Sequence, residues 1–349
     1  MKYRLIPGTD ISVSEVGFGV WTLSAGWWGD YSDDEASRLL TRAHDLGYTF
    51  FDTADTYGNG RGESILATAF GDGVKDIVVG TKFGYDIYGY GEARSRGQRE
   101  LPQIWEPEYI RYACEQSLKR LGRDNIDLYQ VHNVKADSVV NDDIYDTLDA
   151  LKAEGKIRAY GVAMGPANGW IVEGKAAMRS RDISTVQIIN NLFEQFPGAP
   201  LTAEAKETGK GVLVRVPHSS GLLEGHYTED TQFEKHDHRR HRPRSWLLNG
   251  IQKLETVSFL AETRDGATMG QMALKWLLSE PHVVTTLPNI YDESQIEDFA
   301  GTSDCADITP DEMSRLADLY AENFGIEEPV MDFKGVAEDS EEARVLLSA

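Results

Sequence analysis

The stretch Ser32-Asp33-Asp34-Glu35-Ala36-Ser37-Arg38-Leu39-Leu40-Thr41-Arg42-Ala43-His44-Asp45-Leu46-Gly47-Tyr48-Thr49-Phe50-Phe51-Asp52 holds one complete repeating unit of the fold. Ser32 followed three residues later by Glu35 forms a capping box, in which each side chain satisfies a backbone N–H that the first helical turn leaves without a partner. Ala36, Leu39, Leu40, Ala43 and Leu46 then fall on one helical face, and Gly47 stops the helix. The apolar run Tyr48 to Phe51 follows at once and reads as a strand buried on both faces, ending at Asp52.

The alternation continues outward from this unit. Helices are expected over 62–70, 107–121, 144–154, 202–208 and 268–278, and strands over 16–20, 77–82, 126–132, 157–163, 186–189, 212–216 and 283–287. With 48–51 this makes eight short strands rich in Val and Ile, which implies a parallel sheet covered by helices. A chain of 349 residues allows two domains or one barrel. Eight units favour the second, an α/β fold of the (β/α)8 TIM barrel type with all of 1–349 in a single domain. No Gly-x-Gly-x-x-Gly follows the first strand, which argues against the open dinucleotide fold. The acidic, weakly periodic segment 325–349 is expected to be a tail or a flap over the barrel mouth.

Composition narrows the class of function. Against 57 acidic residues stand 35 basic ones, a formal net charge of −22, so neither a nucleic acid nor an anionic membrane is expected as a partner. No run of about eighteen apolar residues occurs, and the first residues lack the basic-then-apolar pattern of an export signal. Cys114 and Cys305 alone imply neither a disulfide framework nor a thiolate metal site, and the expected address is the cytoplasm. His236, His238 and His241 form the one metal-like cluster. They sit among Arg239, Arg240, Arg242 and Arg244, whose charges repel a cation, so no metal is expected and the loop suits an anion or a cofactor cover.

In such a barrel the chemistry lies where the strands end. Asp52 and Tyr57 follow the second strand, Lys82 ends the third and His132 ends the fourth. Singly, each has a plain structural reading as a cap, an edge charge or a bonded imidazole. Together, on consecutive strand ends, they make a candidate catalytic set.

Here the sequence resembles the aldo-keto reductase superfamily. The resemblance is carried by Gly47-Tyr48-Thr49-Phe50-Phe51-Asp52-Thr53-Ala54-Asp55-Thr56-Tyr57-Gly58 with Glu63, by Gly80-Thr81-Lys82, and by Asp127-Leu128-Tyr129-Gln130-Val131-His132. It extends from an N-terminal β-hairpin over 3–13 and Gly17-Phe18-Gly19-Val20-Trp21 to Leu287-Pro288-Asn289 with Gln295. It implies that Asp52, Tyr57, Lys82 and His132 are a catalytic tetrad for hydride transfer between a nicotinamide and an aldehyde, ketone or sugar. The chemistry is coherent. Hydride reaching a carbonyl carbon leaves charge on oxygen, which the phenol of Tyr57 protonates. Lys82 beside the phenol favours phenolate, Asp52 balances Lys82, and His132 orients the carbonyl oxygen.

On the cofactor side the resemblance implies contacts from Trp21, Asp52, Gln187, Arg215, Val216, Pro217, His218, Ser220, Pro288, Asn289 and Gln295. Three departures stand out. Ala163-Met164 replaces a Ser-Asn pair that holds the nicotinamide carboxamide, Arg215 replaces a stacking aromatic, and Pro288-Asn289-Ile290-Tyr291 with Gln295 stand where relatives place Lys and Arg on the adenosine 2′-phosphate. Arg215 either stacks as a guanidinium plane or points at a carboxylate or phosphate. The family pattern leans to NADP, and the neutral residues make NAD an alternative. Trp21, Trp27, Trp28, Phe83, Trp105 and Trp170 are candidates to line the substrate pocket, and the long loops 84–105 and 218–244 are expected to shape it. Two other readings stay open: a cofactor-sensing regulatory protein of the same fold, and an enzyme that retains its nicotinamide for elimination or epimerisation.

Overall fold

A computed structural model describes residues 1–26, 28–90, 100–235, 237–329 and 331–348. Trp27, His236, residues 91–99 of the 84–105 loop and two positions of the 325–349 segment therefore lie outside the described residues. A hairpin of β1 (Tyr3–Leu5) and β2 (Ser12–Ser14) opens the chain. Eight parallel strands follow: β3 (Phe18–Gly19), β4 (Phe50–Asp52), β5 (Val78–Phe83), β6 (Ile126–Val134), β7 (Ile157–Met164), β8 (Thr185–Ile189), β9 (Gly211–Arg215) and β10 (Val283–Leu287). Each pairs with the next in chain order, and Val16 bridges to Thr286 to bring the first and last together. At this seam Gly17 N donates to Thr286 O at 2.8 Å and Thr286 N to Glu15 O at 2.9 Å.

The signals read from sequence formed the elements they announced. Ser32 and Glu35 make the reciprocal cap of the helix Asp33–Asp45, with Glu35 N donating to Ser32 Oγ and Ser32 N to Glu35 Oε2. Helices Arg61–Phe70, Pro107–Leu121, Asp142–Ala153, Gly198–Thr208 and Met269–Leu278 occupy the other expected places. The strand expected over 16–20 is shorter than its apolar run, because Val20 already turns into the helix Trp21–Ser24.

One crossover helix carried no start signal. Ile171–Ser180 joins β7 to β8, but its N-cap is Trp170 in a left-handed conformation with no side-chain cap. Its face holds Ala176, Ala177 and Gly174, where a Cβ would come within 2.6 Å of Leu201. The helix Glu341–Ser348 buries Ala343 and Leu346 and packs on this crossover helix. Before it, Trp170 N donates to Lys334 O at 2.7 Å, Val336 N donates to Glu173 Oε1, and Phe333 meets Phe196 edge-on. The chain thus crosses the loops that follow β7 and β8.

The barrel interior is layered. At the bottom, Ile6, Ile11 and Val13 of the hairpin region pack with Phe50, Leu128, Ala159, Leu213, Val284 and Leu287. Arg4 holds the hairpin there by donating to the carbonyls of Leu278, Glu280 and Val283. Above this apolar plug the inward positions turn polar, which leaves the strand C-termini as the reactive end.

Gly161 shows how little room the strand pairing leaves. A Cβ at this position of β7 would sit 2.2 Å from Thr185 Oγ1 and 2.7 Å from the Thr185 carbonyl of β8. Gly161→Ala is therefore expected to cost about 2–3 kcal/mol and to lower the melting temperature. An unchanged thermal transition would show that the two strands can separate at no cost.

Candidate active site

The site begins with strand register. Asp52 ends β4 opposite Gly80, Lys82 lies opposite Gln130, His132 opposite Ala163, and Ala163 opposite Gln187. Since side chains alternate across a strand, this register sends Asp52, Lys82, Gln130, His132 and Gln187 into one layer. Tyr57 reaches the same layer from the turn after β4, where its N–H donates to Ala54 O.

The structure brings the four proposed catalytic residues together. Lys82 Nζ donates to Asp52 Oδ2 at 2.5 Å, to Thr53 O at 2.8 Å and to Tyr57 Oη at 3.3 Å, so each ammonium hydrogen has an acceptor. Lys82 is 1% exposed and Asp52 5%. The His132 ring stands edge-on to Tyr57 at 5.9 Å and to Tyr85 at 5.2 Å, and Trp21 stands edge-on to Tyr57 at 5.0 Å. Behind β5, buried Glu63 accepts from Thr81 Oγ1 and from Arg120 Nε, both at 2.6 Å.

Burial pushes the Tyr57 pKa up, and Lys82 and then Arg215 pull it back without cancelling the shift. Desolvation outweighs the pull of Lys82, so the phenol stays protonated across neutral pH. For Lys82, burial disfavours the charge, yet Asp52 and Tyr57 outweigh it and raise its pKa.

Gln187, given to the nicotinamide by resemblance, has its amide nitrogen on Asp52 Oδ1 at 2.8 Å. Gln130, which the sequence reading passed over, donates to the same oxygen at 3.2 Å. Two residues before His132 on one strand, it shares the inward face, and that period was the available signal. Phe83 goes the other way. Lys82 faces inward, so Phe83 faces the helices and stacks on Tyr129 at 4.4 Å instead of lining a pocket.

Arg215, at the end of β9, donates from one guanidinium nitrogen to the carbonyls of Met164 and Gly165, and among the described residues it makes no hydrogen bond to a carboxylate. Burial lowers its pKa. Beyond it, Val216, Ser219, Ser220 and Gly221 have φ of 57°, 48°, 59° and 97°. For β-branched Val216 this is a strained conformation, of the kind that folds keep at binding loops. Pro217 lies within this turn, and the Ser220 carbonyl accepts from Tyr227 Oη. His218 turns inward, with Nε2 against Gly270 O at 2.9 Å and its ring tilted on Phe299. Burial lowers its pKa to about 4.

The loops after β9 and β10 meet at Gln295, whose Oε1 accepts from Tyr291 N and whose Nε2 donates to Glu224 Oε2 at 2.7 Å. Pro288 and Asn289 lead into this contact from β10. Glu224 was not singled out in the sequence, where nothing marks its position beside Gln295. Burial raises its pKa to about 7. Arg239 ties the long loop down. It pairs with Asp237 and lies 5.2 Å from Trp28, 4.8 Å from Phe233 and 5.4 Å from Tyr291 by ring centroid. His238 stacks on Trp28. Among the described residues no group of three His, Cys, Asp or Glu could hold a metal ion.

Comparison with known proteins agrees with this geometry. Residues 15–321 match the model of the Aldo/keto reductase family. The chain is 31% identical over 297 residues to the aldo-keto reductase yakc of Schizosaccharomyces pombe, named with NADP(+), covering 83% of this chain and 84% of that one. It is 30% identical over 296 residues to the aldo-keto reductase YhdN of Bacillus subtilis, covering 80% and 82%. Among solved structures, the glycerol dehydrogenase AKR11B4 from Gluconobacter oxydans superposes with a TM-score of 0.79 at 26% identity, over 95% of this chain and 99% of that one. The fold and its relatives define an oxidoreductase on a parallel barrel. The chain belongs to the aldo/keto reductase family, whose members use nicotinamide cofactors on small carbonyl compounds. No described helix is long and apolar enough to cross a membrane.

Gln187→Leu separates its two possible duties. If its amide serves Asp52, catalytic rate should fall about tenfold, the cost of one unsatisfied buried acceptor, with cofactor Kd within about twofold. A large rise in Kd at unchanged kcat would return Gln187 to the cofactor.

Proposed function

We propose that Asp52, Tyr57, Lys82 and His132 carry a reversible hydride transfer between a nicotinamide cofactor and an aldehyde, ketone or sugar, with Tyr57 as general acid and base. The observation that supports this most is the buried Lys82 ammonium, 2.5 Å from Asp52 and 3.3 Å from the Tyr57 hydroxyl. A phenol alone is a poor acid at neutral pH; beside a fixed cation it can give up its proton to an oxygen that gains charge. Lys82 then holds the phenolate, Asp52 keeps Lys82 charged and in place, and His132 donates to the same substrate oxygen. Trp21 shields the phenol from water on one side. In the opposite direction Tyr57 takes the alcohol proton. The cofactor, when bound, supplies or accepts the hydride.

Among the described residues, several buried polar atoms make no hydrogen bond, and these fit such a cofactor. Asn190 Oδ1, Trp170 Nε1 and Arg215 Nε cluster at the ends of β7 to β9, and His218 Nδ1 and Tyr291 Oη lie in the loops after β9 and β10. The first group offers the acceptor and donors that a carboxamide needs. In this reading Arg215 stands in for the missing Ser-Asn donors, the strained turn Val216 to Ser220 takes the pyrophosphate, and Asn289, Pro288 and Gln295 meet the adenosine. The resemblance leans to NADP, as does the name of yakc, whereas the neutral run Pro288 to Tyr291 suits NAD. Residues 331–336 serve as a flap on the rim. Two free cysteines and an acidic surface suit a cytoplasmic enzyme.

Tyr57→Phe should lower carbonyl reduction by at least about 10²-fold while cofactor Kd stays within about twofold, since a proton donor is lost at little change in volume. Near wild-type turnover in this variant would remove Tyr57 as the acid.

The raised Tyr57 pKa also sets a pH profile. Reduction needs the protonated phenol, so its rate should hold through neutral pH and fall only above the ordinary tyrosine value near ~10. Arg215→Met deletes a charge that lowers this pKa and should move the alkaline fall upward. A decline that begins below pH 8 in the wild type would contradict the assignment.

A further inference from the structure

Resting on that functional reading, we propose that Trp170, clamped by the backbone of 334–336, is a positioning residue that holds the Arg215 guanidinium at the catalytic layer. The charged and titratable groups about Tyr57 are Asp52 from β4, Lys82 from β5, His132 from β6 and Arg215 from β9. Lys82 is fixed within that layer by Asp52 and the Thr53 carbonyl. Arg215 is fixed from outside it, by the carbonyls of Met164, the last residue of β7, and of Gly165 just beyond. Whatever sets those two carbonyls therefore sets the guanidinium.

The Trp170 indole rests on Gly165. A Cβ there would fall 2.2 Å from Trp170 Nε1 and 2.3 Å from Cε2, so the ring needs glycine beneath it. Trp170 has φ 67° and ψ 35°, a conformation that a bulky residue keeps only where its surroundings over-determine it. Those surroundings come from the far end of the chain. Trp170 N donates to Lys334 O at 2.7 Å, Lys334 N donates to Asn168 O at 3.1 Å, and Gly169 and Lys334 form a parallel bridge. The two backbones leave no room for side chains: a Cβ on Gly169 would meet Lys334 N and O at 2.3 Å, and one on Gly335 would meet Trp170 Cα at 2.9 Å. One turn into the helix, buried Glu173 accepts from Val336 N, 163 residues further along, and Phe333 closes on Phe196 from the loop after β8. A helix start needs one polar cap; this clamp fixes the ring as well. Trp170 Nε1 is buried and makes no hydrogen bond among the described residues, so packing and the backbone clamp orient the indole.

The test compares Gly335→Val, Trp170→Leu and Arg215→Met in the full chain, with Gly335→Val also combined with Arg215→Met. The first readout is fluorescence titration with NADH and NADPH, and with ADP-ribose as a probe that lacks the nicotinamide. Gly335→Val, which touches neither Arg215 nor Gly165, should weaken dinucleotide binding about tenfold and ADP-ribose binding less than about twofold. In the Arg215→Met background it should weaken binding no further. The second readout is the alkaline limb of carbonyl reduction. Gly335→Val and Trp170→Leu should both move it upward, as Arg215→Met does, whereas a loss of packing alone lowers the rate and leaves the limb in place. Additive losses of binding, or a limb that Arg215→Met moves and the other two variants do not, overturn the positioning role; the limb of Trp170→Leu decides it if Gly335→Val does not fold. A wild type that binds neither dinucleotide, or a limb that Arg215→Met leaves in place, would instead overturn the functional reading on which it rests.

Discussion

A lysine ammonium and an aspartate carboxylate inside a barrel, both almost out of contact with water, set the terms for much of this structure. Taking two charges out of solvent is costly unless every hydrogen and lone pair finds a partner. Lys82 meets that demand with three acceptors: Asp52, the Thr53 carbonyl and the Tyr57 hydroxyl. Asp52 meets it with Lys82 on one oxygen and the amides of Gln130 and Gln187 on the other. Strands β4, β5, β6 and β8 contribute to one polar layer. A slip of one residue in any of them would turn its contribution out among the helices.

That demand explains the division of the barrel interior. The lower layer is apolar and closed by the hairpin, with Phe50, Leu128 and Leu213 against Ile6 and Ile11. It excludes water from below, which keeps the local dielectric low and strengthens the Lys82 interactions above it. The same dryness raises the Tyr57 pKa. Burial holds the phenol protonated, and the cations beside it offset part of that shift.

At the ends of β7 and β9, two departures from the family pattern are coupled in space. Arg215 bonds the carbonyls of Met164 and Gly165, the very stretch in which Ala163 and Met164 lack donor side chains. A guanidinium can fasten a strand end and still present nitrogen to the mouth, which neither an alanine nor a methionine can. In a chain of net charge −22, the loop around Arg239 is locally basic, and Trp28 and Tyr291 from two other loops join Phe233 of its own in holding the guanidinium.

Local order was legible in the chain itself. The capping box at Ser32, the stop at Gly47, the eight apolar runs and the four reactive residues at strand ends depend on neighbours a few positions away, and helix and strand periods record such relations directly. The helix Ile171–Ser180 escaped because its start is the left-handed Trp170, stabilised by contact with Lys334 far along the chain. The outward turn of Phe83 and the inward turn of Gln130 were within reach of strand alternation once Lys82 and His132 were set inward. The tertiary structure alone decided that Gln187 bonds Asp52, that burial outweighs Lys82 at Tyr57, and that Glu224 lies against Gln295. Each depends on distances and desolvation between segments 70 or more residues apart or on how deeply a group is enclosed, and a linear sequence carries no term for either.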